Sequence, residues 1–325
     1  MRMHFLAIGL LAATVASSSL AQPAAPAARP PATDTVAPEI AGVVKAGTKV
    51  QVIKMDITGG TEGPIALNGG SGAVLFTQQQ ADRVSKIDKD NNFSIFLDKV
   101  TGINAITYNP KGQMIALQRM QNGGKAQIAI IYPKGQEKVL SDNINGQPIL
   151  NPNDLIADKK AGVYFTVPGA MPPAVYYITP QGKTVVATTE VDRLNGIQMN
   201  RAENILYVTS GGEYIRAFDI NPDGSLKNAR NFGKYGFMVA NATTGVKASG
   251  ADGMTIDNEG RLYTATNGGI EVFSEQGQNL GVIPLSRKGQ NLAFGGPDKK
   301  TLYIVGNQAA WKIDMVAVGF KDRAK

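Results

Sequence analysis

One polar-led phrase recurs six times along the 325-residue chain. It begins at Glu62 (EGPIALNGGSGAVLFTQQQADRVSKID), Asn104 (NAITYNPKGQMIALQRM), Asn153 (NDLIADKKAGVYFTVPGAMPPAVYYI), Asn195 (NGIQMNRAENILYVTSGGEYIRAFDI), Asp252 (DGMTIDNEGRLYTATNGG) and Asn291 (NLAFGGPDKKTLYIVGNQAAWKID). After the polar opener come apolar residues, then a turn rich in Asp, Asn, Lys and Gly, then a β-run such as VLFT, VYFT, LYVT, LYTA or LYIV. Turn chemistry and β-branched or aromatic content make these hairpins. The copies return roughly every 40 to 55 residues, the spacing of propeller blades of four strands each. The expected fold is therefore all-β, a six-bladed β-propeller. A β-sandwich would show turn signals every ~8–12 residues without this longer period. Residues 48–57 (TKVQVIKMDI) precede the first copy and are expected to pair with the last blade. That pairing closes the ring and removes its unpaired sheet edges.

In a propeller the innermost strand of every blade lines the central channel. The six openers then stand at one height around the axis, as a ring at one channel mouth. A single polar residue at a strand start is as readily a turn cap; six in register point to a shared site. Two carboxylates and four amides make an oxygen-rich cage, suited to Ca²⁺, which takes six to eight oxygens in variable geometry. Gly63, Gly196 and Gly253, each directly after an opener, are expected to let backbone pass close to the axis.

Composition narrows the chemistry. There is no Cys, and the single His, His4, lies in the N-terminal segment. Disulfides, thiol chemistry, Ser-His-Asp and Cys-His catalysis and His-ligated zinc or haem are excluded for the mature domain. Any metal must be held by oxygen, which favours Ca²⁺, Mg²⁺ or Mn²⁺. The net charge of +7 is spread along the chain without a basic block, so nucleic acid is not an expected partner. Residues 1–21 resemble a secretory signal: Arg2, a short apolar run over residues 5–15, and Ser19-Leu20-Ala21 before the cleavage point. Residues 22–45 form a Pro/Ala-rich linker and 46–325 the propeller domain. The expected product is a periplasmic or secreted monomer acting on a small molecule, without membrane attachment once the signal is removed.

Together TEGPIAL, NPNDLIADKKAGVYFT, RLNGIQMNRAENILYVT, ADGMTIDNEGRLYTAT and NLAFGG resemble the gluconolactonase/regucalcin family over about residues 48–314. The resemblance implies a six-bladed propeller, lactone hydrolysis, and one divalent metal in the channel, Ca²⁺ first, with Mn²⁺, Mg²⁺ or Zn²⁺ as alternatives. It implies Glu62, Asn153, Asn195 and Asp252 as metal ligands, with Asn153 also beside substrate. Two positions that are acidic in many members are Gln78 and Val167 here, which is expected to alter the pocket wall and the substrate accepted.

A lactone hydrolase without His or Cys needs a metal to polarise the carbonyl and a carboxylate to activate water. Asp252 is the first candidate for that base and Glu62 the second. Asn104, Asn153 and Arg119 are the candidates for orienting substrate; an arginine placed like Arg119 is more often a solvated surface charge. Two other functions fit the same residues. One is a non-enzymatic secreted propeller that binds a small ligand or a protein at the channel mouth. The other is a different metal-assisted reaction, such as isomerisation or C–C chemistry.

Overall fold

Four of the six repeats turn back on themselves because one Asn or Asp at the end of the inner strand satisfies the turn. Asn109 accepts from the backbone N–H groups of Lys111 and Gln113, both at 3.0 Å. Asp158 does the same for Lys160 and Gly162 at 2.8 Å, and Asp257 for Glu259 and Arg261 at 2.9 Å. Asn200 takes the N–H groups of Asn204 and Ile205 at 3.0 and 3.1 Å. Such bonds hold backbone donors that a tight turn leaves without a ladder partner.

The computed structural model describes residues 31–119 and 125–325. In it the six repeats are six antiparallel sheets of at least four strands. The inner strands of blades 1 to 6 are Thr61–Ala66, Ile103–Tyr108, Leu155–Ala157, Leu194–Met199, Met254–Ile256 and Asn291–Gly295. Small hairpins, Asn143–Ile144 with Gln147–Pro148 and Val239–Ala240 with Lys247–Ala248, sit between blades 2 and 3 and between blades 4 and 5. No helix among the described residues is long and apolar enough to cross a membrane.

Ring closure follows the expectation. Lys49–Lys54 pairs antiparallel with Ala309–Asp314, the third strand of blade 6, with Val52 opposite Trp311. The short strand Thr35–Val36 then pairs with Lys49–Lys54 as a fifth strand. The later part of the Pro/Ala-rich segment is thus packed on the propeller: Val43 and Val44 are buried with Ile40 against blades 5 and 6. Residues 1–21 and the start of the linker lie outside the described residues.

The core is not central but divided among the gaps between blades. Phe165 and Leu155 meet Ile115 and Leu117 between blades 2 and 3. Tyr164, Val208 and Phe218 fill the next gap, and Tyr207, Met254 and Phe273 the one after. Tyr263, Phe294 and Trp311 fill the gap between blades 5 and 6, where the closing strand adds Val50. Full burial of a large apolar side chain contributes about 1.5–3 kcal/mol. Packing between blades therefore holds the inner strands, and with them the openers, in place.

Candidate active site at the channel mouth

The structure brings the six openers to the same end of the six inner strands and links four of them in pairs. The Asn291 amide donates to Glu62 Oε2 at 3.2 Å, joining blades 6 and 1. The Asn104 amide donates to the Asn153 carbonyl at 2.6 Å, joining blades 2 and 3. The Asn195 side chain lies beside the Asp252 carboxylate, close enough to favour its ionised form, across blades 4 and 5. Glu62 also takes the Gln290 amide on Oε1 at 3.1 Å and its neighbour's Gly63 N–H on Oε2 at 3.2 Å.

The backbone beneath the openers is held as firmly. In blades 1, 3 and 4 a Thr on the second strand donates across the gap to the next opener's carbonyl: Thr77 to Asn104 at 2.7 Å, Thr166 to Asn195 at 2.6 Å, Thr209 to Asp252 at 2.8 Å. The glycines after the openers make this approach possible. A Cβ on Gly63 (φ +50°) would lie 2.7 Å from the Ala105 Cα, one on Gly196 2.3 Å from the Asp252 carbonyl oxygen, and one on Gly253 2.0 Å from Asn291 Oδ1. No side chain fits at those separations.

The electrostatics are those of like charges crowded together. Burial, and then the negative charge of Asp252, pushes the Glu62 carboxyl well above the usual carboxylate range. Burial raises the Asp252 carboxyl too, with Lys288 the largest opposing influence. Arg119 belongs to the same field: burial lowers its pKa while Glu62, Asp252 and Asp154 oppose the shift. Its Nε donates to the Pro152 carbonyl at 2.6 Å, directly before Asn153. It is half-buried beside the ring, not a solvated surface charge.

Three charged neighbours had no place in the repeat grammar. Lys288 lies on the loop that leads into Asn291. Asp154 follows Asn153 and is buried; its Oδ2 accepts the Ile197 N–H at 3.2 Å. Lys325, equally buried, reaches Asp154 from the opposite end of the channel. Only Asp154 had a signal, a carboxylate where blades 1, 4 and 5 have Gly. Neither departure has a side-chain bond to an opener. Val167 is in the apolar layer between blades 2 and 3. The Gln78 side chain is bonded within its own blade, accepting from Arg83 Nε at 3.0 Å and from Ser85. A cavity of about 500 Å³ opens where the inner strands end, lined by Leu67, Asn109, Asp158 and Arg323. It is remote from the openers.

The donors fit a hard divalent cation. Asn195 Oδ1 is buried without a hydrogen-bond partner, beside two carboxyls whose ionisation is opposed by burial. An oxygen left bare beside crowded carboxyls is what a cation would satisfy. Among the described residues no three or more His, Cys, Asp or Glu side chains form a metal cluster, so amide oxygens must complete any such site.

Two carboxylates and a set of amides gathered at one mouth of the axial channel place the chain among six-bladed propellers with a polar site on their axis. Within that class the chain belongs to the SMP-30/gluconolactonase/LRE-like family, whose region matches residues 61–308. It is 27% identical over 305 residues to a gluconolactonase of Zymomonas mobilis, covering 82% of this chain and 81% of that one. In structure it is similar to a gluconolactonase of Xanthomonas campestris, with TM-score 0.72 and 23% identity over 88% of this chain and 99% of that one. It is also similar to regucalcin of Agrobacterium tumefaciens, described as a calcium-binding protein, with TM-score 0.65 and 13% identity over 84% and 96%. These last two likenesses concern the fold.

Proposed function

We propose that the protein is an exported, metal-dependent hydrolase of a lactone, a sugar lactone or related cyclic ester, and that the ring at the channel mouth is its active site. The observation that carries this reading is the gathering of Asn195, Asp252 and Glu62 at one mouth, with Asn195 Oδ1 buried and left bare. Family membership and the Zymomonas mobilis relative support the reaction class.

Glu62, Asn153, Asn195 and Asp252 would hold the cation, Ca²⁺ first. Bound there, it would polarise the lactone carbonyl and acidify water. Asp252 takes the proton of the attacking water, then returns it to the ring oxygen as the acyl C–O bond breaks. The product is an open-chain hydroxy acid. Arg119, anchored on the Pro152 carbonyl, and Asn104, anchored on Asn153, orient the substrate over the ring. The Thr209 and Thr166 bonds keep the openers from shifting during this sequence.

The test is a lactone panel assayed after chelation and with Ca²⁺, Mn²⁺, Mg²⁺ or Zn²⁺ restored. Turnover that needs the cation and is lost in Asp252→Ala is expected. Turnover indifferent to both, or none on any lactone or ester, overturns the reading; cation and ligand binding without turnover would favour a non-enzymatic binding propeller. Export rests on residues 1–21, and N-terminal sequencing of protein recovered outside the cytoplasm tests it.

A further inference from the structure

After blade 6 the chain crosses the end of the channel opposite the openers. The Phe320 N–H bonds the Ile256 carbonyl of blade 5 at 3.1 Å, and Lys299 of blade 6 donates to the Phe320 carbonyl at 2.7 Å. Arg323 is clamped by blade 4, donating to Gln198 Oε1 at 2.7 Å, the Met199 carbonyl at 2.8 Å and Glu203 Oε1 at 3.1 Å. Ala66 of blade 1 donates to the Ala324 carbonyl at 2.8 Å. These anchors fix the direction of Lys325. Its ammonium bonds Asp154 of blade 3, and also the Leu155 carbonyl at 3.3 Å. Both side chains of the pair are almost fully buried, 1% and 2% exposed.

Burying an ammonium is costly unless it meets a partner that needs it. Asp154 is such a partner, within electrostatic reach of both Glu62 and Asp252. Without Lys325, Asp154 would be a third carboxylate without a cationic partner beside Glu62 and Asp252. The other cations of the site, Arg119 and Lys288, are only partly buried and belong to the mouth.

We propose that Lys325 is a positioning residue for the cation site: a built-in counter-ion that occupies Asp154 from below, leaves Glu62 and Asp252 as the carboxylates open to a divalent ion, and lowers the affinity for that ion. This rests on the metal-binding reading of the ring but assigns a role to a residue outside it. An ammonium fixed in a low-dielectric channel repels a divalent cation more strongly than one in water does. The segment 319–325 is therefore both the channel floor and part of its charge balance.

Isothermal titration of chelator-treated protein with Ca²⁺, and separately with Tb³⁺ followed by its luminescence, tests this. Lys325→Met is expected to bind at least about tenfold more tightly than wild type, and Asp154→Asn, which keeps Lys325, at least about tenfold more weakly. The double substitution Asp154→Asn/Lys325→Met is expected to return to within roughly threefold of wild type, because charge is removed in equal and opposite amounts. Should Lys325→Met not fold, Asp154→Asn and the double variant decide. Wild-type affinity in Asp154→Asn, or a folded Lys325→Met that binds no tighter, overturns the proposal while leaving the metal site intact. A wild-type protein that binds neither ion removes the metal site itself, and the proposal with it.

Discussion

Thr209 on blade 4 donates its hydroxyl to the main-chain carbonyl of Asp252 on blade 5 at 2.8 Å. The bond fixes the backbone of the proposed base from the neighbouring sheet, through a residue that does not itself face the channel. It is one of three such straps, with Thr77 to Asn104 and Thr166 to Asn195. Blade packing and site geometry are thus joined at single hydroxyls.

Replacing that hydroxyl by a methyl group of the same shape isolates its role. Thr209→Val leaves the Asp252 carbonyl without this donor and the Gly196 N–H, which the same hydroxyl oxygen accepts at 2.6 Å, without its acceptor, at a cost of about 1–3 kcal/mol for each buried group. Thermal unfolding is expected several degrees lower, with a weaker response to Ca²⁺ than wild type. Equal unfolding temperatures and equal calcium response would show that the strap has no part in the site.

The straps also mark how far the sequence could be followed. Fold, closing strand and openers were legible because they recur or pair by pattern: the Thr of VLFT, VYFT and LYVT is one letter of a repeat, and residues 48–57 alternate as a strand. Interactions that occur once were not. Which opener bonds which neighbour depends on side-chain direction across a gap. Asp154 breaks the repeat, standing where Glu62, Asn195 and Asp252 are followed by Gly. Lys325 meets Asp154 across 171 positions of chain, a separation no local pattern encodes. Arg119 read as a surface charge because its partner, the Pro152 carbonyl, belongs to the next blade.

The raised carboxyls predict an unusual pH response. In the cation-free protein Glu62 and Asp252 keep protons that the unfolded chain, with carboxyls near about 4, has already lost. The folded state binds more protons across that window, so these groups lower stability as pH rises from about 5 towards 8. A bound divalent cation relieves the repulsion. Scanning calorimetry is expected to show a larger Ca²⁺-induced increase in unfolding temperature at about pH 8 than at about pH 5. An equal or larger increase at the lower pH contradicts the assignment of both carboxyls to the site.

Asp252→Asn separates stability from function. The amide removes a buried carboxyl whose ionisation is opposed by burial and by Asp154, so the cation-free protein is expected to unfold no earlier than wild type at about pH 8. The same change removes the proposed cation donor and base. Lactone turnover is expected to fall about 10²–10⁴-fold, and the calcium-induced stabilisation to shrink. A fully active Asp252→Asn would exclude the aspartate as base.

Closure predicts where the ring is weakest to truncation. Trp311 is wholly buried in the gap that unites blades 5 and 6, in the strand that pairs with Lys49–Lys54. Trp311→Ala is expected to cost about 3–5 kcal/mol. Trp311→Phe keeps most of the apolar area and removes an indole N–H that has no partner, so its cost is expected to be well under half of that. Chemical denaturation measures both; equal losses would place the stability of the closure elsewhere.

Gly196 tests the tolerance of the ring from below. Its backbone needs no left-handed conformation, but a methyl group there would lie 2.3 Å from the Asp252 carbonyl oxygen and 2.9 Å from the Gly253 Cα. Both are backbone atoms, which cannot rotate aside as a flexible side chain does. Gly196→Ala must therefore push blades 4 and 5 apart at the point where Asn195 lies beside Asp252. Overpacking of this kind costs about 1–3 kcal/mol, and the displacement falls on two proposed ligands at once. The variant is expected to lose calcium affinity out of proportion to its loss of stability. Asn200→Ala, at the far end of the same strand, supplies the comparison: it removes the turn acceptor of Asn204 and Ile205 while leaving the mouth untouched. Calcium titration and denaturation of the two variants side by side decide the matter. If both lose affinity in the same proportion to stability, the close approach at Gly196 serves the fold alone.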